Sequence, residues 1–247
     1  MWGTFCSVDR RGPDRKRSAH LVIRSLATAG FAAFALLLLL RAEALAQAPV
    51  REHIEWSHTW LMAVNSTDKP HVLLIGDSIT EAVFGRVEAR FKDTAYLCKL
   101  TTSKSLGDPL LFDEVRTTLR NTHFEVIHFN NGMHGVGYTE AQYARDYARM
   151  LRLIKAEAPR AKLVLVTTTS QRTPGQLDRL TDFNERIKVR NQTVRRLAAK
   201  NGLLVNDLFA LVADRQDFTS GDGTHLSAAG IDAQADRVCA VLEPLIK

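Results

Sequence analysis

His71-Val-Leu-Leu-Ile-Gly-Asp-Ser-Ile-Thr80 decides the fold. The apolar run His71 to Ile75, closed by Gly76, reads as a short buried strand. From Ile79 to Phe91 the apolar residues recur at helical spacing, so Ser78 stands at a strand-to-helix junction. Outward from this unit the alternation continues. Ala95 to Leu100, Phe124 to Phe129, Lys162 to Thr167 and Gly202 to Val205 read as further strands. Pro109 to Leu119, Thr139 to Ala156, Asp182 to Lys200 (strongly basic) and Ser227 to Leu242 read as helices, the last stopped by Pro244. Thr168 to Leu180, with Pro174 and Gly175, reads as a loop. Strands alternating with helices predict a three-layer α/β/α domain around a parallel sheet. Such sheets bind ligands beyond the carboxyl ends of their strands, so residues that follow strands are the ones to examine for chemistry.

Gly76-Asp77-Ser78 meets that condition. Glycine allows a sharp turn, and the serine lands where helix N–H groups point outward and the dipole favours developing negative charge. That placement suits a nucleophile flanked by an oxyanion, and it equally suits a serine that only caps the helix. Near the other end, Asp222-Gly-Thr-His225 precedes the closing helix. A general base must reach the serine, and a carboxylate must fix the imidazole tautomer. The same spacing occurs in Asp68-Lys-Pro-His71, but that copy precedes the first strand and belongs at the opposite edge of the sheet. Position in the fold therefore selects Asp222 and His225 as partners of Ser78. Two more polar segments follow strands: Ser105-Leu-Gly107-Asp108 and Asn130-Asn131-Gly-Met-His134. Each is an ordinary turn composition, and each also offers donors suited to an oxyanion, a glycine N–H or an asparagine amide.

The block Val72 to Thr80 together with Asp222-x-x-His225 resembles the SGNH/GDSL hydrolase (esterase/lipase) family, with a likeness running from about residue 70 to the end. The resemblance implies a flavodoxin-like five-stranded sheet, Ser78 as nucleophile, and Asp222 and His225 completing a triad. It implies an oxyanion hole from the Ser78 N–H, Gly107 and an asparagine side chain. The third block departs from the family's usual Gly-x-Asn-Asp and is similar to a subgroup reading Asn-x-Gly-(Leu or Met)-His. Asn130, at the strand end, is taken as the amide donor, with Asn131 as the alternative. Asp77 and His134 are candidate site-lining groups. The implied reaction is ester hydrolysis through an acyl-Ser78; a signal-like N-terminus and the absence of a long apolar lid segment favour small acyl esters, acetyl above all, on carbohydrate or cell-envelope substrates, with short-chain lipid or aryl esters second. The rival readings are an O-acyltransferase using the same triad and a non-catalytic envelope carbohydrate-binding protein on a decayed hydrolase fold. The Pro174-Gly175 loop, with Arg172 and Arg179, is a candidate specificity segment.

The N-terminus is built differently. Basic residues from Arg10 to Arg24, an apolar run from Ala27 to Leu40 and Ala42-Glu-Ala-Leu-Ala-Gln-Ala48 have the layout of a secretory signal. The reading is a signal peptide over 1–46, a polar lead-in over 47–69 and a catalytic domain over 70–247, exported to the periplasm or beyond. An uncleaved anchor is the alternative, but the apolar run is shorter than the ~20 residues of a spanning helix. Residues 1–46 hold seven basic and three acidic residues, so only +2 of the +6 net charge belongs to the mature chain. That argues against a nucleic-acid partner. An ester substrate is the only partner read here; oligomeric state is not legible. No paired His/Cys cluster points to a metal, and neither metal nor organic cofactor is expected. Cys98 and Cys239 are either one disulfide or two buried thiols.

Overall fold

The computed structural model describes residues 51–246, with Gly3 alone ahead of them. The signal-peptide reading therefore falls outside the described residues. The elements in chain order are β1 (Ser57–Trp60), β2 (His71–Gly76), α1 (Ser78–Phe91), β3 (Tyr96–Thr102), α2 (Pro109–Leu119), β4 (Val126–Phe129), α3 (Glu140–Glu157), β5 (Lys162–Val166), β6 (Arg172–Thr173), β7 (Gln176–Leu180), α4 (Phe183–Asn201), β8 (Leu204–Asn206), α5 (Leu208–Val212) and α6 (Ala228–Ile246).

The main sheet has the order β1-β3-β2-β4-β5-β8. Strands β3, β2, β4, β5 and β8 run parallel, the expected five-stranded flavodoxin-like arrangement. A sixth strand, β1, was read as polar lead-in; it pairs antiparallel with β3 along the edge, Ser57 opposite Thr102 and Trp60 opposite Lys99. All four β1 residues are exposed, so no buried alternation marks it in the sequence.

Helices cover both faces, which is why the parallel strands read as near-continuous apolar runs. Leu73 and Ile75 of β2 point into one layer with Val115, Tyr147 and Met150. Val72 and Leu74 point into the other, with Val83 and Val87 of α1 and Val238 and Leu242 of α6. Cys98 belongs to the first layer and Cys239 to the second; both are free and buried. The sheet itself separates them, so the disulfide alternative falls.

Two other expectations change. The loop after β5 contains the small antiparallel hairpin β6–β7. Pro244 does not stop the last helix, which continues to Ile246. A proline this close to the C-terminus is tolerated because few further backbone bonds depend on it. Among the described residues, no helix is long and apolar enough to cross a membrane.

Strand order reverses between β3 and β4, on either side of β2. The carboxyl end of β2 is thus the switch point at which open α/β sheets form their crevice, and Ser78 sits there. A third apolar cluster, including Ile79, Met133, Ile187, Val212, Phe218 and Leu226, backs this edge.

Candidate active site

The β2–α1 turn is tight. A Cβ on Gly76 would fall 2.0 Å from Thr80 Oγ1, so glycine is required by close approach. Asp77 is the N-cap of α1, its carboxylate accepting from the Ile79 N–H at 3.0 Å. It is buried in that role instead of lining the site. Because Asp77 caps the helix, the Ser78 hydroxyl is not consumed in capping, and the Ser78 N–H, in the first helical turn, has no intrahelical acceptor.

Ser78 Oγ lies 2.8 Å from His225 Nε2, although 147 residues separate them. His225 Nδ1 lies 2.7 Å from Asp222 Oδ2. An ionised carboxylate only accepts, so the imidazole proton sits on Nδ1 and the Nε2 lone pair faces the serine hydroxyl. The other oxygen, Asp222 Oδ1, accepts from the backbone N–H of Thr224 (2.8 Å) and of His225 (2.9 Å) and from Ser220 Oγ (2.8 Å). Burial pushes the Asp222 carboxyl upward, but the bonds from His225, Thr224 and Ser220 outweigh it and hold Asp222 well below the usual carboxylate range.

The turn carrying this pair is fixed from several sides. Gly223 adopts φ +75°, and a Cβ there would meet Arg172 O at 2.1 Å. The Gly223 carbonyl accepts from the Arg172 N–H at 2.7 Å, and a bridge between Thr219 and Leu226 closes the turn's base. Arg172, read as a specificity residue, is buried, its guanidinium donating to Leu177 O and Ala213 O. Arg179 stays on the hairpin surface, donating to Gln176 Oε1.

The two asparagines at the end of β4 point to opposite faces. Asn130 donates its side-chain amide to Val166 O at 3.0 Å and lies within 3.4 Å of Thr168 Oγ1, accounting for both amide N–H groups. Asn131 turns toward the loop after β3, where its Oδ1 accepts from the Leu106 N–H at 3.2 Å and its Nδ2 donates to Lys104 O at 2.9 Å. One amide N–H of Asn131 remains, on a side chain whose partner Leu106 directly precedes Gly107 in the chain.

The chain that follows, 132–138, is gripped by two arginines of α4 that sequence reasoning left among the basic residues of a surface helix. Arg190 donates to the carbonyls of Gly132 (2.8 Å), His134 (2.7 Å) and Gly135 (3.0 Å), and Arg186 to those of Val136 and Tyr138. Both pair with Glu140. The only sequence signal was their spacing of four, which puts both on one helix face. His134 lies 3.1 Å from Glu52, and Arg51 makes a two-pronged contact with Asp108, the N-cap of α2. The lead-in thus reaches the loops around the site. Among the described residues, no group of three His, Cys, Asp or Glu side chains is placed to hold a metal ion.

A model of the GDSL-like Lipase/Acylhydrolase family matches residues 129–233, a span that includes the third block, Asp222 and His225 and begins downstream of Ser78. No curated protein matches. Among solved structures, a GDSL-like lipase from Bacteroides thetaiotaomicron is similar with a TM-score of 0.59 at 18% identity, over 74% of this chain and 92% of that one. The acetyl xylan esterase AlAXEase has a TM-score of 0.57 at 19% identity, over 70% and 99% of the two chains. A lipase/acylhydrolase from Enterococcus faecalis has a TM-score of 0.55 at 19% identity, over 72% and 97%. At such identities the likeness shows a shared fold. With the family match, it supports an ester-hydrolysing enzyme.

Proposed function

We propose that this chain, an ester hydrolase with a GDSL-like acylhydrolase fold, acts through an acyl-Ser78 intermediate and that its substrates are small acyl esters, acetyl above all, on carbohydrate or cell-envelope molecules. The observation that carries the mechanism is the continuous chain Asp222–His225–Ser78, with contacts of 2.7 and 2.8 Å. Ser78 Oγ attacks the ester carbonyl while its proton passes to His225 Nε2; Asp222 holds the imidazole and stabilises its charged form. The tetrahedral oxyanion is received by the N–H groups of Ser78 and Gly107 and by the Asn131 amide, preferred here to Asn130 because of its remaining N–H and its bond to Leu106, the residue before Gly107. As the intermediate collapses, His225 returns the proton to the departing alcohol. Water, deprotonated by the same imidazole, then releases the acid.

The substrate class rests on exposure. The side chains of His225 and Asp222 are 45% and 53% exposed, so the base stands at the protein surface, where an ester on a bulky alcohol can reach it. The name of one structural neighbour, an acetyl xylan esterase, agrees with that class. Export is proposed from the signal-like residues 1–46 alone.

A fluorophosphonate probe is expected to label the purified protein, with the adduct on Ser78 and none on Ser78→Ala; an unlabelled, folded wild type sinks the enzyme reading. A panel of acetylated polysaccharides against p-nitrophenyl esters of increasing chain length then tests the substrate class. Faster turnover of octanoyl than acetyl esters would overturn it. Asn131→Ala is expected to lower kcat by about 10²-fold, as loss of one oxyanion donor does, whereas a drop confined to Asn130→Ala would return the role to Asn130.

A further inference from the structure

Arg190 is 0% exposed. A buried guanidinium is costly unless every donor is used. Here all five N–H groups have acceptors: Nε meets Glu140 Oε2 at 2.8 Å, Nη1 meets Gly132 O and His134 O, and Nη2 meets Gly135 O at 3.0 Å and Glu140 Oε1 at 3.5 Å. The rings of Tyr138, Tyr143 and Phe183 lie within 5.0–5.4 Å of its centre, so the charge is boxed by aromatic faces. One turn earlier, Arg186 continues the grip on Val136 O and Tyr138 O. Together they hold five carbonyls of a seven-residue loop. Such a cost in desolvation, spent on an irregular loop, calls for a reason beyond packing.

That reason lies at the start of the loop. The Asn131 carbonyl accepts from Tyr143 Oη at 2.7 Å, and the next carbonyl, Gly132 O, accepts from Arg190 at 2.8 Å. Gly132 packs so closely on Thr168 that a Cβ there would lie 2.0 Å from Thr168 Oγ1. The peptide joining Asn131 to Gly132 is therefore held through its own carbonyl and the next peptide through the Gly132 carbonyl, while the Asn131 side chain is tied to the Leu106 N–H and Lys104 O.

We propose that Arg190, assisted by Arg186, is a positioning residue for the reaction: by holding the 132–138 loop it keeps the Asn131 amide against the Lys104–Leu106 segment that leads into Gly107, where the oxyanion is proposed to form. This rests on the esterase reading above. It adds that the third block works as a clamped unit, with α4 supplying the clamp. Lysine cannot replace Arg190, because three donors at one point cannot span the separated carbonyls that the planar fork reaches.

The test is a double-mutant cycle on p-nitrophenyl acetate, run well below the melting temperature of every variant. Arg190→Lys is expected to lower kcat about 10- to 100-fold with KM within about 3-fold, the mark of a lost transition-state contact. In an Asn131→Ala background the same change is expected to cost less than about 3-fold, because both act on one donor. Multiplying effects, or unchanged kcat, would overturn the proposal, since loss of general integrity does not depend on whether Asn131 is present. If Arg190→Lys does not fold, Arg186→Gln serves, its side chain being 31% exposed; it is expected to show the same pattern, weaker. Hydrogen exchange should report faster amides over 133–138 with β4 unchanged, and an equally protected loop also overturns the proposal. A wild type whose turnover is unaffected by Ser78→Ala removes the esterase reading and the clamp's role with it. Normal wild-type turnover, abolished by Ser78→Ala but indifferent to Arg190, removes only the clamp.

Discussion

The two edges of the sheet carry the same four-residue spacing and treat it differently. At the carboxyl edge, Asp222 and His225 bond to each other. At the amino edge, Asp68 accepts from Tyr96 Oη at 2.9 and 3.0 Å, while His71 Nε2 bonds to Ala63 O at 3.0 Å, so the pair is split. The cause lies in the residues between. Asp222-Gly-Thr-His225 supplies N–H groups at Thr224 and His225 that wrap around the carboxylate, and Gly223 accepts the φ of +75° that this turn demands. Asp68-Lys-Pro-His71 has proline where Thr224 stands, and proline has no N–H to give. His71 is moreover the first residue of β2 and is buried in the sheet. A cavity of about 770 Å³, lined in part by Asp68, His71, His123 and Glu125, opens at the amino edge. Space and titratable groups thus lie at the amino edge, whereas the connected hydrogen bonds from carboxylate to imidazole to serine lie at the carboxyl edge.

The contrast can be broken experimentally. The largest effect is expected from Asp222→Asn, which leaves the imidazole without its tautomer-fixing acceptor and should lower kcat by about 10⁴-fold. Asp68→Asn should leave kcat within about 2-fold, as surface changes away from a site do. Comparable losses in the two variants, measured with p-nitrophenyl acetate, would erase the distinction between the edges. An intermediate effect is expected from giving the working copy the proline of the idle one. Thr224→Pro removes one N–H from the Asp222 carboxylate, releasing part of what keeps it ionised, and should cost about 10²-fold in kcat through misplacement of the imidazole. Retention of full activity would show that the intervening residues do not matter.

The smallest effect concerns the strand between the edges. His128 of β4 is wholly buried, its Nε2 facing the Asn206 amide at 3.0 Å and its Nδ1 without a partner. Burial pushes this imidazole down to about 3. The folded state keeps it neutral while the unfolded chain takes up a proton below its ordinary value near 6.5. The unfolded state thus binds more protons between about pH 6.5 and 3, and stability falls as pH drops through that window, by at most about 1.4 kcal/mol per pH unit. Urea unfolding of His128→Gln should show a shallower decline between about pH 6.5 and 4.5 than the wild type; identical slopes would discard the assignment.

Strands β2, β4 and β5 were legible because both faces are buried, so each reads as an apolar run closed by glycine or a polar residue. Ser78 was legible through its place after a strand, Asp222 and His225 through theirs before the closing helix, and the Asp68/His71 copy was set aside because it precedes the first strand. The edge strand β1 was not, since its pairing is imposed by β3 and none of its side chains is buried. The asparagine proposed for the oxyanion was ambiguous because Asn130 and Asn131 stand where the strand's alternation ends, and which face each takes depends on the backbone beyond. Arg190 was hidden for a different reason: in α4, Arg186, Lys188, Arg190, Arg195, Arg196 and Lys200 look alike in a sequence, and only tertiary packing makes one of them interior.

The lead-in segment has a consequence for maturation. Arg51 grips Asp108, Glu52 meets His134, and Glu55 accepts from Ser103, so the first described residues brace the loops that follow β3 and β4. With cleavage after Ala46, only residues 47–50 would separate the new terminus from that brace. Such a cut would leave Arg51, Glu52 and Glu55 with the domain, and with them the brace on those loops.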